Sequence, residues 1–245
     1  MRLAPIAALV AGLSAAAALP ARAETVDLQL VLAADVSISV DNDEFRLQRD
    51  GYAEALTSPA VLEAIRHGPN HAIAVCFLEW SGSAAQQVVV DWMVIRDGEV
   101  AKVFADALRT APRSFAGATA IGAGIDFAMK QFLRSGVDSP RRVIDVSGDG
   151  DNNTGRPVEY ARDDAIKAKV TINGLAIVNE HPAAGFIGHV QPVGGIGNYY
   201  RTRVAGGADS FVIEINNFAD FAEAMKRKLV AEIATADVPG GLARR

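Results

Sequence analysis

Near-continuous apolar runs alternate with amphipathic stretches from residue 26 almost to the end of the chain. Such runs are typical of strands that are covered on both faces, because neither face then needs polar side chains. They predict six strands, at residues 26–34, 72–80, 86–95, 141–147, 170–178 and 210–215.

The stretches between these runs have the spacing of amphipathic helices. The first begins with Asp41 and carries Glu44 three positions later, which is the arrangement of a capping box. Helices are predicted at residues 41–56, 100–110, 118–135, 157–169 and 218–234.

The lengths of the connections predict the topology. About five residues around Gly82 join the second and third strands, too few for a crossover helix, so this pair should be an antiparallel hairpin. The other connections can hold crossovers. We therefore expect an α/β fold with a doubly wound, mostly parallel six-stranded sheet, one antiparallel edge strand and helices on both faces, a Rossmann-like arrangement.

Both ends and one internal segment differ from this pattern. Residues 1–23 have the features of a secretory signal peptide: an early arginine, an alanine-rich apolar run and a small-residue cleavage site. A membrane anchor is the alternative, but the run falls short of the roughly 20 apolar residues that span a bilayer. We expect the domain at residues 24–236, with a glycine-rich insertion at 179–209 that is a functional lid or partly ordered. Residues 237–245 should form a flexible tail.

Charge and cysteine content narrow the function classes. Removal of residues 1–23 would leave 22 basic against 29 acidic side chains, which argues against a nucleic-acid partner. The signal peptide, with cleavage predicted after Ala23, predicts a periplasmic or secreted location, and no integral membrane segment is expected after cleavage. The single cysteine, Cys76, lies in an apolar run and is expected to be a buried, unreactive thiol.

Oxygen-bearing side chains follow the predicted strands where the chain leaves the sheet. Asp35, Ser37 and Ser39 follow the first strand at alternate positions, which point the same way in an extended segment. Thr119 precedes a predicted helix, and Asp149 follows the fourth strand. Carboxylate and hydroxyl oxygens are ligands that suit Mg²⁺, Mn²⁺ or Ca²⁺ better than they suit zinc. Two carboxylates with neutral hydroxyls would leave such an ion with affinity for one more anion.

The segments DVSIS, GATAIGAGI and SGDG occur in this order in the chain. Together they resemble the metal-ion-dependent adhesion site (MIDAS) of von Willebrand factor A-type (vWA, integrin I-like) domains. The resemblance spans about residues 26–234 and is to an exported bacterial branch of unknown function. It implies that Ser37, Ser39 and Thr119 are hydroxyl ligands of Mg²⁺ (or Mn²⁺ or Ca²⁺) and that Asp35 and Asp149 supply charge. An acidic side chain of a partner protein would complete the coordination.

The chain departs from the family pattern at Gly148, where members commonly have threonine or serine. This leaves Asp151 as an alternative to Asp149, although Asp149 is expected because Gly150 follows it. Asn152 and Asn153 are expected to form turns or to support the site.

The leading hypothesis is a non-enzymatic, metal-dependent protein-binding domain. One alternative is a magnesium-dependent hydrolase of the haloacid dehalogenase type, which also has an aspartate after its first strand but usually a second acid where this chain has Ser37. Another is a degenerate structural domain that binds no metal, with Asp35, Ser37 and Ser39 as helix caps.

Two further features are less clear from the sequence. Glu79 and Trp80 end the second predicted strand and could border the ion. The favoured interpretation is that Glu79 is exposed to solvent and Trp80 is half-buried. Asp145 interrupts an apolar strand and needs a partner that the sequence does not identify.

Overall fold

The computed structural model describes residues 23–178 and 192–234. Residues 1–22 of the predicted signal peptide, residues 179–191 of the predicted insertion and the whole predicted tail lie outside these ranges. Within them, no helix is long and apolar enough to cross a membrane.

All six predicted strands form one sheet. The strands of the described residues are β1 Glu24–Thr25, β2 Leu28–Asp35, β3 Ile73–Trp80, β4 Gln86–Ile95, β5 Val137–Asp138, β6 Arg142–Gly148, β7 Thr171–Ile177 and β8 Val212–Ile215. The large sheet has the order β4-β3-β2-β6-β7-β8. Only β3 and β4 pair antiparallel, so the hairpin and the single antiparallel edge strand are confirmed. The two-residue strands β1 and β5, which pair with each other, were not predicted because they are too short to show a pattern.

The predicted helices are present with shifted ends. The helices are α1 Asn42–Thr57, α2 Pro59–His67, α3 Gly98–Thr110, α4 Ile121–Gln131, α5 Val158–Lys167, α6 Gly195–Tyr199 and α7 Phe221–Ile233. The capping box at Asp41 is formed as expected. Helix α2 was not predicted; it starts directly after α1 with Ser58 as N-cap and Pro59 in its first turn. Helix α6 and the π-helical turn Tyr200–Val204 that continues it were not predicted either.

Two separate cores lie on the two faces of the sheet. Helices α1, α2, α3 and α7 cover one face, and α4, α5 and α6 cover the other. Every residue of β2 and of β3 is buried as a result. This double coverage explains why the strand sequences are apolar throughout and do not alternate.

The strand order points to the carboxyl ends of β2 and β6 as a candidate binding site. β2 lies between β3 and β6 in the sheet. The chain continues from β2 to β3 on one side and later returns to the other side of β2 as β6. Ligands of open α/β sheets bind outside the carboxyl ends of strands at such a reversal. Asp35 is the last residue of β2, and Asp149 directly follows β6.

The partner of Asp145 is Lys228 of α7. The Lys228 Nζ lies 2.9 Å from Asp145 Oδ1 and also pairs with Glu232, and all three side chains are fully buried. Asn173 Nδ2 donates to Glu232 Oε1 at 2.8 Å. Two carboxylates thus share one ammonium group inside the protein. Burial first, and then the charge of Glu232, raise the pKa of Asp145 to about 7.

We predict that Asp145 makes stability depend on pH. Its carboxyl is protonated up to about pH 7 in the folded chain but loses its proton near pH 4 when unfolded, so folding takes up a proton between these values. This residue's contribution to the free energy of unfolding therefore falls as pH rises from about 4 to about 7. The variant Asp145→Asn should gain stability relative to wild type across that window, by at most about 1.4 kcal/mol per pH unit.

Urea unfolding at several pH values checks this prediction. Asp106→Asn is the control, because Asp106 pairs with Lys102 on the exposed surface of α3. Asp106→Asn shows the effect of removing a solvent-exposed carboxylate, and it should lack the gain expected for Asp145→Asn. A constant difference for Asp145→Asn would contradict the prediction.

Candidate metal site

Four of the five predicted site residues form one hydrogen-bonded group. The backbone N–H of Ser37 donates to Asp35 Oδ1 at 2.7 Å, and the hydroxyls of Ser37 and Ser39 lie 3.0 Å apart. Ser39 Oγ donates to Asp149 Oδ1 at 2.7 Å. The chain turns off β2 so that side chains at alternate positions converge, as the spacing predicted, and they meet the residue that follows β6.

Thr119 belongs to the loop before α4, which packs against both other segments. Gly117 O accepts from Ile38 N at 2.8 Å, and this joins the loop to the segment after β2. Thr119 N donates to Asn153 Oδ1 at 3.0 Å, and Asn153 N donates to Thr119 O at 2.9 Å. Thr119 itself is 5% exposed. The three sequence segments therefore meet at one edge of the sheet.

Geometry separates the two candidate aspartates. Asp149 is fully buried and accepts from Ser39, whereas Asp151 is half-buried. Asp149 is therefore the aspartate that the fold joins to the serines.

The two asparagines after Asp149 hold the start of α4. That helix lacks a side-chain cap of its own, since its N-cap residue is Ala120. Asn152 Oδ1 instead accepts from Gly122 N at 2.9 Å, and Asn152 Nδ2 donates to two carbonyls of its own loop. Because Asn153 binds Thr119 directly, the loop after β6 and the loop before α4 form one unit.

Glu79 and Trp80 are both fully buried, so the solvated, half-buried interpretation was wrong. Arg49 of α1 forms a buried ion pair with Glu79, and this partner lies 30 residues away in the sequence. The indole of Trp80 donates to Ala33 O at 3.1 Å and packs against Gly124, where a Cβ would lie 2.8 Å from the ring.

Arg113 also shapes the site, and the sequence analysis did not single it out. Glu79 Oε2 accepts from Ser114 N at 2.8 Å, which fixes the loop on which Arg113 lies. The Arg113 guanidinium donates to Val36 O at 2.9 Å and to Ser37 O at 2.8 Å. It therefore holds two carbonyls of the segment after β2 from outside the hydrogen-bonded group.

Tyr200 is the other residue that the sequence analysis missed. It is fully buried, and its hydroxyl lies close to the end of β6. Burial first, and then the charges of Asp35 and Asp149, raise its pKa well above the usual value. The sequence signal was weak, because Tyr200 lies in the glycine-rich segment whose helices were not predicted.

The electrostatics of the group favour a bound cation. Asp35 and Asp149 are both fully buried, and Asp35 Oδ2 has no hydrogen-bond partner. Burial first, and then the charge of Asp149, raise the pKa of Asp35 well above its usual value, against the opposing effects of Ser37 and Arg113. A dication at this point would supply positive charge to offset the negative charge of the two carboxylates.

The donor set fits a hard divalent ion. It consists of two carboxylates and hydroxyls. Within the described ranges, no cluster of three or more histidine, cysteine, aspartate or glutamate side chains could hold a metal, so the hydroxyls would be needed as ligands. Magnesium and manganese accept such oxygen ligands.

Comparisons with known proteins identify the family and the fold. A family model described as "Protein of unknown function (DUF1194)" matches residues 25–237. No curated protein matches the sequence at a significant level.

Several solved structures share the fold. Proximal thread matrix protein 1 from the mussel byssus aligns with a TM-score of 0.61 and 17% identity, over 87% of this chain and 49% of that one. Another structure of that protein has a zinc-occupied MIDAS motif. A von Willebrand factor type A protein from Catenulispora acidiphila aligns with a TM-score of 0.57 and 18% identity, over 85% of this chain and 43% of that one.

The pilus adhesin SpaC from Lactobacillus rhamnosus GG aligns with a TM-score of 0.60 and 12% identity, over 85% of this chain and 31% of that one. The chain thus spans about half or less of the length of these proteins. At such identities the likeness shows the fold, and the predicted vWA fold is confirmed.

We predict that Asp35→Asn stabilises the metal-free protein. The substitution removes a buried charge that has an unpartnered oxygen and a second carboxylate nearby, so in EDTA the variant should be roughly 1–3 kcal/mol more stable than wild type. Saturating Mn²⁺ should raise the unfolding midpoint of wild type but not that of the variant.

Asp27→Asn is the matched control at the opposite end of β2. Asp27 is also buried, but its Oδ1 accepts from Asn70 N at 2.9 Å and from Asn70 Nδ2 at 2.7 Å. This carboxylate is satisfied, so its replacement should destabilise the protein. A destabilised Asp35→Asn in EDTA would contradict the prediction.

Proposed function

This chain belongs to the DUF1194 family, and from that premise we propose that it is an exported domain that binds a partner protein through a divalent metal ion. Asp35, Ser37, Ser39, Thr119 and Asp149 would hold the ion, which is Mg²⁺ or Mn²⁺ in the first instance. The observation that carries the proposal is the buried, hydrogen-bonded group of two carboxylates and two serines at the carboxyl edge of the sheet.

Each site residue has a definite task in this proposal. The carboxylates of Asp35 and Asp149 balance the charge, and the hydroxyls of Ser37, Ser39 and Thr119 supply neutral oxygens. The bound ion would attract a carboxylate of the partner. Arg113, Asn152 and Asn153 hold the three loops in register, so that the oxygens are in place before the ion arrives.

The surroundings of the group support a protein partner. Ile38 lies between the two site serines and is 59% exposed, which offers an apolar contact beside the ion. An apolar contact next to a charged one is a common arrangement in protein interfaces. Among the structures that share the fold, one is a thread matrix protein and one is a pilus adhesin, which supports binding over catalysis.

We predict that the protein binds Mg²⁺ and Mn²⁺ in calorimetric titration and that Ser37→Ala and Thr119→Ala each weaken binding by roughly 10- to 100-fold. A lost polar contact to a charged group is worth roughly 1.5–3 kcal/mol. Zinc is titrated as well, because a MIDAS motif in a protein of the same fold holds zinc.

Ser139→Ala is the control for this titration. Its hydroxyl donates to Arg141 O before β6 begins, at the other end of that strand. Ser139→Ala should bind the ions as wild type does. The absence of any binding by wild type would favour the degenerate structural domain instead.

We also predict that partner capture depends on the ion. Immobilised wild-type protein should retain a protein from the exported fraction of its source cells. EDTA should release that protein, and Asp35→Ala should fail to retain it, because both changes remove the metal ion that the partner's carboxylate would bind. Retention that survives both changes would contradict the proposal. Turnover of a generic phosphate ester that is lost in Asp35→Asn would favour the hydrolase instead.

A further inference from the structure

A single small space at the end of β6 is shared by Asp35 and Tyr200. A Cβ added to Gly148 would lie 2.7 Å from the hydroxyl oxygen of Tyr200, 2.9 Å from Asp35 Oδ2 and 3.0 Å from Asp35 Cβ. No side chain fits there without displacing one of the two. Gly148 is therefore the residue that lets a phenol and a carboxylate oxygen approach the same point.

The fold brings Tyr200 to this point from a distant segment. Tyr200 is the first residue of the π-helical turn that continues α6, and Ile196, Tyr200 and Val204 are buried in the core on that face of the sheet. Its ring crosses β7 at Gly174, where a Cβ would lie 2.8 Å from the ring. Because β6 and β7 pair in parallel, glycines on two neighbouring strands form the channel through which the ring reaches Gly148.

Both oxygens at this point are buried and lack hydrogen-bond partners within the described ranges. Asp35 Oδ1 is occupied by Ser37 N, but Oδ2 is not hydrogen-bonded, and neither is the Tyr200 hydroxyl. A buried donor and a buried acceptor without partners each cost free energy. Here they face the same methyl-sized space without being hydrogen-bonded to each other, so a small shift of either group would pair them.

We propose that Tyr200 is a positioning residue for the metal site and that, when the ion binds, its hydroxyl donates to Asp35 Oδ2 and fixes the carboxylate. The inference rests on the proposed function and adds a sixth residue to the site. Asp35 would then be held at both oxygens, by Ser37 N and by Tyr200. Outer partners of this kind restrict the orientation of a ligand and commonly change metal affinity by about 10- to 100-fold.

The test uses the whole protein and Mn²⁺ alone as the probe. Tyr200→Phe keeps the ring in its channel and removes only the hydroxyl, so the variant should fold. Its Mn²⁺ affinity in calorimetric titration should fall about tenfold. Its urea midpoint in EDTA should equal or exceed that of wild type, because the hydroxyl that is removed has no partner in the metal-free protein.

Tyr52→Phe is the matched control, since Tyr52 is also fully buried. Its hydroxyl is within hydrogen-bond distance of Ser147 Oγ, at 2.8 Å, on the opposite face of the sheet. This variant should lose stability in EDTA and keep wild-type Mn²⁺ affinity. The opposite responses of the two tyrosines separate positioning of the ion site from a structural role.

Gly148→Ala tests the shared space independently of metal. The added methyl group should destabilise the wild-type background in EDTA more than the Tyr200→Phe background, where the oxygen it would meet is absent. Equal destabilisation in both backgrounds would overturn the inference.

The outcomes also distinguish the inference from the proposed function. Wild-type Mn²⁺ affinity in Tyr200→Phe would overturn the inference and leave the proposed function in place. The absence of Mn²⁺ binding by wild type would overturn both.

Discussion

The candidate site depends on the burial of two carboxylates at the carboxyl ends of strands in a sheet that is covered on both faces. Asp35 and Asp149 reach this edge because β2 and β6 are parallel neighbours and both strands end there. Burying two like charges together is unfavourable unless opposite charge compensates them. The surrounding loops supply hydroxyls, backbone N–H groups and one guanidinium, and under the proposed function an ion would supply the rest.

The supporting contacts explain how a metal-free site of this kind keeps its shape. The buried pair of Arg49 and Glu79 links α1 to β3, and Glu79 in turn fixes the loop that carries Arg113. On the other side, Asn152 and Asn153 tie the loop after β6 to the start of α4. Both flanking loops are therefore held in place without an ion, so the binding of an ion would not include the free-energy cost of ordering them.

Periodicity and motif spacing were enough to predict the sheet, its one antiparallel pair and the convergence of Asp35, Ser37, Ser39 and Asp149. These features follow from local rules of strand burial and connection length. Glu79, Arg113 and Tyr200 could not be predicted, because each gains its role from a partner that is far away in the sequence. Tyr200 was the most difficult, since its approach depends on two glycines that leave no apolar pattern.

Two buried aspartates, one within β6 and one just after it, are accommodated in opposite ways. Asp145 lies within the strand, where only the protein can compensate it, and Lys228 of α7 does so. Asp149 lies just beyond the end of the strand, where the half-buried Ser39 donates a hydrogen bond to it. An internal cation at Asp149 would satisfy the charge and leave nothing to attract an external ion. The buried lysine therefore makes Asp145 part of the structure, and the proposed function assigns Asp149, which a hydroxyl covers, to the binding of an ion.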